Sequence, residues 1–519
     1  MATPKEKLAQ ALKELRNLQK NNAITIISAS DLSSTHKKLL KRNGFIRGII
    51  KGWYMSTSPD EQDGDTTSWY MSFWNFISNY LNSRFGTNWC LSPEQSLKLH
   101  SGNTIIPKQL LVRSPLANNN IVELIHGTSI LDNKLEIIDQ SSRTTKGGLQ
   151  LYSLENGLIA VGEDFFTRHP TDARACLSMV KDGSILLGKL LDGGHSVVAG
   201  RLIGALRNIG NDKLADTILK TMKSAGYDIR ENDPFREKLT LILNSRETSP
   251  YANRIRLMWY QMRDIVISNF PASRELPSNI ETYLKQVEEN YTNDAYNSLS
   301  IEGYLVTEEL IEKVKSGNWN PNNNETDRET KNAMAARGYY LAFQAVKESI
   351  RAILKGANSG EICDKDHGDW YRELFAPSVT AGILKASDLA GYRSSQVYIK
   401  GSMHTPLNPD ALRDSMPVLF DLLKAEPDAG VRAVLGHFIF VFIHPYMDGN
   451  GRISRFLFNV MLASGGYSWT VVPLTERDTY MAALEEASVQ GDITAFAQFL
   501  SDLVRGSSNN NKVLEKNSK

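Results

Sequence analysis

Cysteine is scarce in this chain of 519 residues, with three in all. Cys90, Cys176 and Cys363 are far apart and odd in number, and none belongs to a Cys-x-x-Cys pair. That spacing suggests neither a zinc knuckle nor a disulfide framework, and it fits a reducing compartment. Long apolar runs are missing too. The longest, Phe438 to Ile443, falls far short of the roughly 20 residues that span a bilayer. The opening MATPKEKLAQALKELRNLQK is charged and helix-periodic and lacks the apolar core of a signal peptide. The expected location is the cytoplasm, with no membrane partner. A charge of one sign is also lacking: 59 Lys and Arg oppose 58 Asp and Glu, leaving +1. Charge is therefore informative only where it clusters.

What is present is ordinary for a globular protein, 41% hydrophobic and 23% charged residues, and the length predicts two to four domains. Leu8, Leu12, Leu15 and Leu18 stand at helical spacing. A second helix follows Ser-Ala-Ser-Asp-Leu32 and stops at Asn43-Gly44. Two β-rich pieces, Phe45–Arg47 and Ile49-Ile50, lead to Lys51-Gly-Trp-Tyr54, the outline of a winged helix-turn-helix. Strand-like pieces at Thr104–Ile106, Gln109–Val112 and Ile121–Ile125, then helical ones at Asp172–Lys181 and Val197–Ile209, predict a mixed α/β region without a chemical motif. Helix is expected after Ser249, broken near Phe270-Pro271, and from about residue 280 onward. Two interruptions are expected there: a polar surface loop at Asn318–Asn332 and a short hairpin within Tyr392–Pro409. The whole is expected to be multidomain. Residues 1–85 form a winged-helix-like domain, 86–245 a mixed α/β domain, 246–285 a helical linker, 286–505 an all-α domain carrying a β-hairpin, and 506–519 a disordered tail.

The chemistry concentrates between Ile439 and Met461. An apolar helix should end at His444, because Pro445 disfavours helix at the residue before it. In the loop Asp448-Gly449-Asn450-Gly451 the glycines allow positive φ and let N–H groups turn inward. A nest against a helix N-terminus suits phosphate. Arg452 and Arg455, three apart, share one helix face and can both reach a polyphosphate. Asp448 can hold Mg²⁺ with phosphate oxygens completing the shell. His444, with a reference pKa of about 6.5, suits a general base for a hydroxyl nucleophile.

This segment resembles the signature of the Fic family, His-x-Phe-x-Asp/Glu-Gly-Asn-Gly-Arg with a second Arg three residues on. It matches at His444, Asp448, Gly449, Asn450, Gly451, Arg452 and Arg455 and departs at Tyr446, where Phe is usual. The resemblance implies a helical Fic domain at 286–505 that transfers AMP from ATP, with Mg²⁺, to a Ser, Thr or Tyr hydroxyl of a target protein. His444 would take the hydroxyl proton, and Asp448 would hold the metal. The Gly449–Gly451 nest and the Asn450 side chain would stabilise the α-phosphate, while Arg452 and Arg455 hold the outer phosphates. The hairpin near Val397, Tyr398, Ile399 and Gly401 resembles the family's target-binding flap; an ordinary surface hairpin fits it as well. Ser298-Leu-Ser-Ile-Glu302-Gly303 resembles the family's inhibitory motif, which implies that Glu302 pairs with Arg455 where the γ-phosphate would go. The same resemblance also accommodates transfer of another group, such as UMP or phosphate, and removal of AMP.

No acidic residue stands between Leu32 and Pro59, whereas Lys37, Lys38, Lys41, Arg42, Arg47 and Lys51 do. Such a run is ordinarily a solvated face, but on a winged helix it suits DNA phosphates. The stretch His36–Tyr54 resembles the winged-helix segment of AbiEi-type antitoxins. That implies a second role, a DNA-binding or toxin–antitoxin-type regulator whose Fic domain senses nucleotide. The oligomeric state is not specified by sequence, and a homo-oligomer is compatible with it.

Overall fold

The computed structural model describes residues 3–19, 25–61, 65–236, 249–317 and 327–517. The chain divides into two compact units: Met1–Arg254 with Tyr398–Thr405, and Ile255–Val397 with Pro406–Lys519.

The first unit opens with helices α1 (Pro4–Gln19) and α2 (Ser34–Arg42) and strands β1 (Ile26–Ser28), β2 (Ile46–Ile50) and β3 (Trp53–Ser56). The strands form an antiparallel sheet in the order β1-β3-β2. Ser33 caps α2 by accepting from the His36 N–H, and the chain leaves the helix through Gly44 at φ 75°. Ala11, Leu15, Ile27, Leu32, Leu40 and Ile46 make its small core. A longer helix, α3 (Thr67–Phe85), buries Trp69, Phe73, Phe76, Ile77 and Leu81. Strand β4 (Cys90–Leu91) and helix α4 (Pro93–His100) follow, then β5 (Gln109–Ser114), β6 (Asn120–Glu123) and β7 (Ser129–Lys134). The resulting sheet has the order β4-β5-β7-β6, with β5 and β7 parallel. A hairpin, β8 (Arg143–Lys146) and β9 (Leu149–Tyr152), precedes helices α5 (Leu154–Ala160), α6 (Glu163–Arg168), α7 (Pro170–Ser178), α8 (Gly183–Asp192), α9 (Ser196–Asn208) and α10 (Asp212–Ser224). All three cysteines are free and buried.

Two expectations are not met, for one reason. Residues Thr104–Ile106 form no strand of their own, and Val397–Gly401 forms no hairpin. The segment 398–405 instead meets the upstream piece: Ile105 bridges His404 antiparallel, and the Ile106 N–H donates to the Met403 carbonyl at 3.1 Å. Its own turn is minimal, with Gly401 at φ 80° and the Ser402 N–H donating to the Ile399 carbonyl. The alternating pattern Val397-Tyr398-Ile399 was local; the pairing is not.

The second unit is helical. Its long helices are α11 (Pro250–Asn269, begun in the first unit), α12 (Ile280–Glu289), α13 (Tyr291–Ile301), α14 (Glu308–Lys315), α15 (Asp327–Leu354) and α16 (Ser359–Thr380). Then come α17 (Pro409–Ala425), α18 (Ala429–Ile443), α19 (Asn450–Ala463), α20 (Arg477–Gln490) and α21 (Thr494–Asn517). The break at Phe270-Pro271 stands where proline removes a donor and blocks the helix. Of the polar loop expected at Asn318–Asn332, residues 318–326 lie outside the described residues, and α15 already runs from Asp327. The segment expected as a disordered tail continues α21 to Asn517, because extending a formed helix is far easier than nucleating one. No helix among the described residues is long and apolar enough to cross a membrane. Helix α18 is apolar nearly all round and almost wholly buried, as expected of the central helix of a bundle.

Candidate active site

Helix α18 ends because His444 leaves the helical region, at φ 57° and ψ 63°. A non-glycine residue is rarely left-handed, and such strain gathers at functional sites. Its backbone is over-determined. The His444 N–H donates to the Phe440 carbonyl at 2.9 Å, while the His444 carbonyl accepts from Arg393 Nε at 2.7 Å. His444 Nδ1 lies 3.2 Å from the Val441 carbonyl. A carbonyl only accepts, so Nδ1 carries the proton and Nε2 is a free base. Burial and the nearby Arg393 guanidinium hold the imidazole down at about 4, against the Val441 carbonyl and the Glu302 and Asp448 carboxylates, which act to raise it.

The turn that follows is tied by side chains. Tyr446 is buried and stacks on Tyr371 with centroids 3.8 Å apart, so the aromatic that replaces the expected Phe does anchor the loop. The Tyr446 N–H donates to Asn450 Oδ1 at 2.9 Å, and Asn450 Nδ2 donates back to the Tyr446 carbonyl at 2.8 Å. The Asn450 amide thus clasps the loop through Oδ1 and one of its two N–H groups. Gly449, at φ 79°, caps α19; a Cβ there would lie 2.8 Å from the Phe375 ring. Gly449 therefore answers both a conformational and a spatial demand. The Asp448 side chain is 61% exposed, with Oδ1 accepting from the Gly449 N–H at 2.6 Å. Among the described residues no group of three His, Cys, Asp or Glu side chains is placed to hold a metal ion by itself. A single exposed carboxylate still suits Mg²⁺, which keeps waters and takes further oxygens from substrate phosphates.

Both arginines of α19 are buried. Arg455 Nε donates to Ser298 Oγ at 3.0 Å, and its Nη2 donates to the Ser298 carbonyl at 3.0 Å and to Glu302 Oε1 at 2.8 Å. Glu302, the C-cap of α13 four residues after Ser298, thus stands paired with Arg455. Burial pushes the Glu302 carboxyl up, but Arg455, Arg452 and His444 outweigh it and leave it below its ordinary value. A Cβ on Gly451 would meet Glu302 Oε1 at 2.3 Å, so the carboxylate lies against the first turn of α19. That is where a helix N-terminus would receive an anion.

Several participants carry no local sequence signal. Arg393 is buried. Besides the His444 carbonyl it donates to Ser395 at 2.9 Å, to Ile443 at 3.5 Å and to the Leu407 carbonyl, capping the C-terminus of α18 as cationic side chains do. Beneath Arg455, Asp294 accepts from the Tyr339 hydroxyl at 2.6 Å, and burial raises its carboxyl to about 6. Arg477 Nε donates to the Ile301 carbonyl at 3.0 Å, and the Leu474 N–H donates to Asn297 at 2.7 Å. Both fasten α13 in place. Replacing Arg393 by Met would leave the Ile443 and His444 carbonyls without this donor. The expected loss is about 2–4 kcal/mol of stability, the scale for charge-assisted bonds and their orphaned partners. A shift in the urea midpoint measures it; a change under about 0.5 kcal/mol would show that Arg393 does not hold the turn.

The basic residues of the first unit are less uniform than their spacing suggests. Lys38, Lys41, Arg42 and Lys51 are exposed. Lys37 Nζ instead donates to the Ala29 carbonyl, and Arg47 pairs with Glu61 at 3.5 Å.

His444 at a left-handed helix end, the start of α19 and two buried arginines together form the candidate site. Residues 365–462 match the Fic/DOC family, and the chain carries a Fic domain. It is 29% identical over 218 residues to Protein adenylyltransferase Fic of Drosophila willistoni, across 41% of this chain and 40% of that one. The same protein of Drosophila virilis matches at 29%, across 41% of each. The chain thus spans about two fifths of the length of these relatives. Among solved structures, Fic-1 from C. elegans aligns over 67% of this chain and 89% of that one, at 16% identity and a TM-score of 0.39.

Proposed function

We propose that this protein is a protein adenylyltransferase held off by its own Glu302. The observation that carries the reading is the Glu302 carboxylate on Arg455 at 2.8 Å, an anion of this chain in the position that suits a substrate phosphate. With ATP bound and Glu302 displaced, His444 Nε2 takes the proton of a Ser, Thr or Tyr hydroxyl on the target. The hydroxyl oxygen bonds to the α-phosphorus, and the bond from that phosphorus to the bridging oxygen breaks, so pyrophosphate departs with the electron pair. Arg452 and Arg455 bind the outer phosphates, and the first N–H groups of α19 face the charge that develops. The work is positioning and electrostatic stabilisation, as phosphoryl-type transfers require. Asp448 would hold Mg²⁺, which neutralises phosphate charge when bound. Transfer of label from α-labelled ATP to protein, in the presence of Mg²⁺, tests the reading; label that never leaves the nucleotide with any hydroxyl acceptor would overturn it.

A second role is supported by the exposed Lys38, Lys41 and Arg42 at the end of α2, beside the β2–β3 hairpin: a winged helix on DNA. Reversing Lys38, Lys41 and Arg42 to Glu should weaken duplex binding by at least about tenfold at 0.1 M salt and flatten its salt dependence. A gel shift unmoved by the triple change would rule this surface out.

A further inference from the structure

The inhibitory segment does not end at Glu302. Glu302 closes α13, and Gly303 follows at φ 86°. The Gly303 N–H donates to the Ser300 carbonyl at 2.9 Å, and the Tyr304 N–H donates to the Leu299 carbonyl at 3.1 Å. These two bonds are the Schellman pattern, which fixes the direction in which Tyr304 leaves the helix. Its ring meets the other arginine. Arg452 Cζ lies 5.1 Å from the Tyr304 ring centroid and 5.1 Å from that of Phe375, carried by α16.

Arg452 is 1% exposed. Its Nε and Nη2 have no hydrogen-bond partner among the described residues, although Nη2 lies 3.3 Å from Asp448 Oδ1. A buried guanidinium with donors left open is costly unless something else holds the charge. The Asp448 carboxylate, the Tyr304 hydroxyl and two aromatic rings share in doing so, the ring quadrupoles attracting the cation.

We propose that Tyr304 is a positioning residue for ATP binding, forming with Phe375 the aromatic clamp that keeps the Arg452 donors aimed at the phosphates. This rests on the reading of the site as one for ATP. It changes the meaning of α13. The same helix end supplies the brake, through Glu302 on Arg455, and half of the clamp on Arg452. Lifting the brake by removing the Glu302 side chain preserves the clamp; undoing the helix end loses both.

The test uses the full chain with ATP and Mg²⁺. Glu302→Gly is compared with Glu302→Gly combined with Tyr304→Leu, Tyr304→Phe or Phe375→Leu. Dissociation constants come from titration calorimetry, and KM and kcat from label transfer. Tyr304→Leu should raise both Kd and KM for ATP about tenfold, the scale of a desolvated cation–π contact, with kcat changed far less, because the interaction is uniform binding. Tyr304→Phe keeps the ring and should recover most of that loss. Phe375→Leu should reproduce it from the other face. A general loss of structure would instead lower the active fraction and so kcat, and the Phe variant separates the ring from the hydroxyl. If Tyr304→Leu binds ATP as tightly as its parent, or if Phe rescues nothing, the clamp is wrong. If Glu302→Gly itself binds no ATP, the reading of the site fails instead.

Discussion

Replacing Glu302 by glycine should raise transfer on the order of 100-fold over the unaltered chain. That is the scale lost when a reacting phosphate is held about an ångström from its productive place. The gain has a structural cost. Arg455 keeps its bonds to Ser298 but loses its counter-charge, and breaking one partner of a buried ion pair is destabilising. A second glycine beside Gly303 weakens the helix end by a further ~1 kcal/mol. The variant should therefore be less stable than the parent without nucleotide, and ATP should stabilise it more, since a ligand that binds only the folded state raises its stability by mass action. Glu302→Ala separates the two effects, because it removes the carboxylate while keeping helix propensity. The folded-state pKa of Glu302 is below its ordinary value. Its ion pair is therefore complete above about pH 4.3 and is lost as pH falls through the folded value. Across a neutral assay range the brake should not vary with pH. Label transfer by Glu302→Ala that stays at the parent rate would remove the brake from the account.

The sequence showed the site better than its surroundings. His444, the Asp448–Gly451 turn and the two arginines are adjacent, so proline, glycine and helical spacing were enough to bring them together. Ser298 and Glu302 needed the resemblance, because a Ser and a Glu four apart are common and their partner stands about 150 residues on. Arg393, Phe375 and Asp294 could not be found this way. Each acts through contacts distant in sequence, and a buried arginine reads no differently from an exposed one. An amide beside a glycine-rich turn has two uses, and only geometry shows that Asn450 clasps Tyr446. The expected flap hairpin is absent for a similar reason: alternation marks a segment able to pair but does not say with what, and here it is the neighbouring His404 and Met403 that meet Ile105 and Ile106.

Removing the base should be the largest loss of all. A positioned general base contributes about 10²–10⁴-fold, so His444→Ala in the Glu302→Gly background should lose transfer on that scale while ATP still binds, because the arginines are untouched. Alanine, however, is strained at the φ of 57° that position 444 requires. His444→Asn is the sharper change, since asparagine tolerates the left-handed region and cannot take the proton at neutral pH. Equal losses for Ala and Asn assign the effect to chemistry; a loss only with Ala assigns it to the turn. The pH profile gives an independent check. Burial holds the imidazole at about 4, so Nε2 is already free of a proton at pH 5.5, where an ordinary histidine of pKa about 6.5 would be roughly nine-tenths protonated. In the Glu302→Gly protein, kcat at saturating ATP should therefore stay flat from pH 8 to 5.5. The same depression makes folding weaker in acid. The unfolded chain takes up the proton below about pH 6.5 and the folded one only near 4, so stability falls between those values and should fall less in His444→Asn. An inflection in kcat near 6.5, absent from ATP binding, would show instead that the imidazole titrates as if exposed and that the strained turn does not hold it neutral.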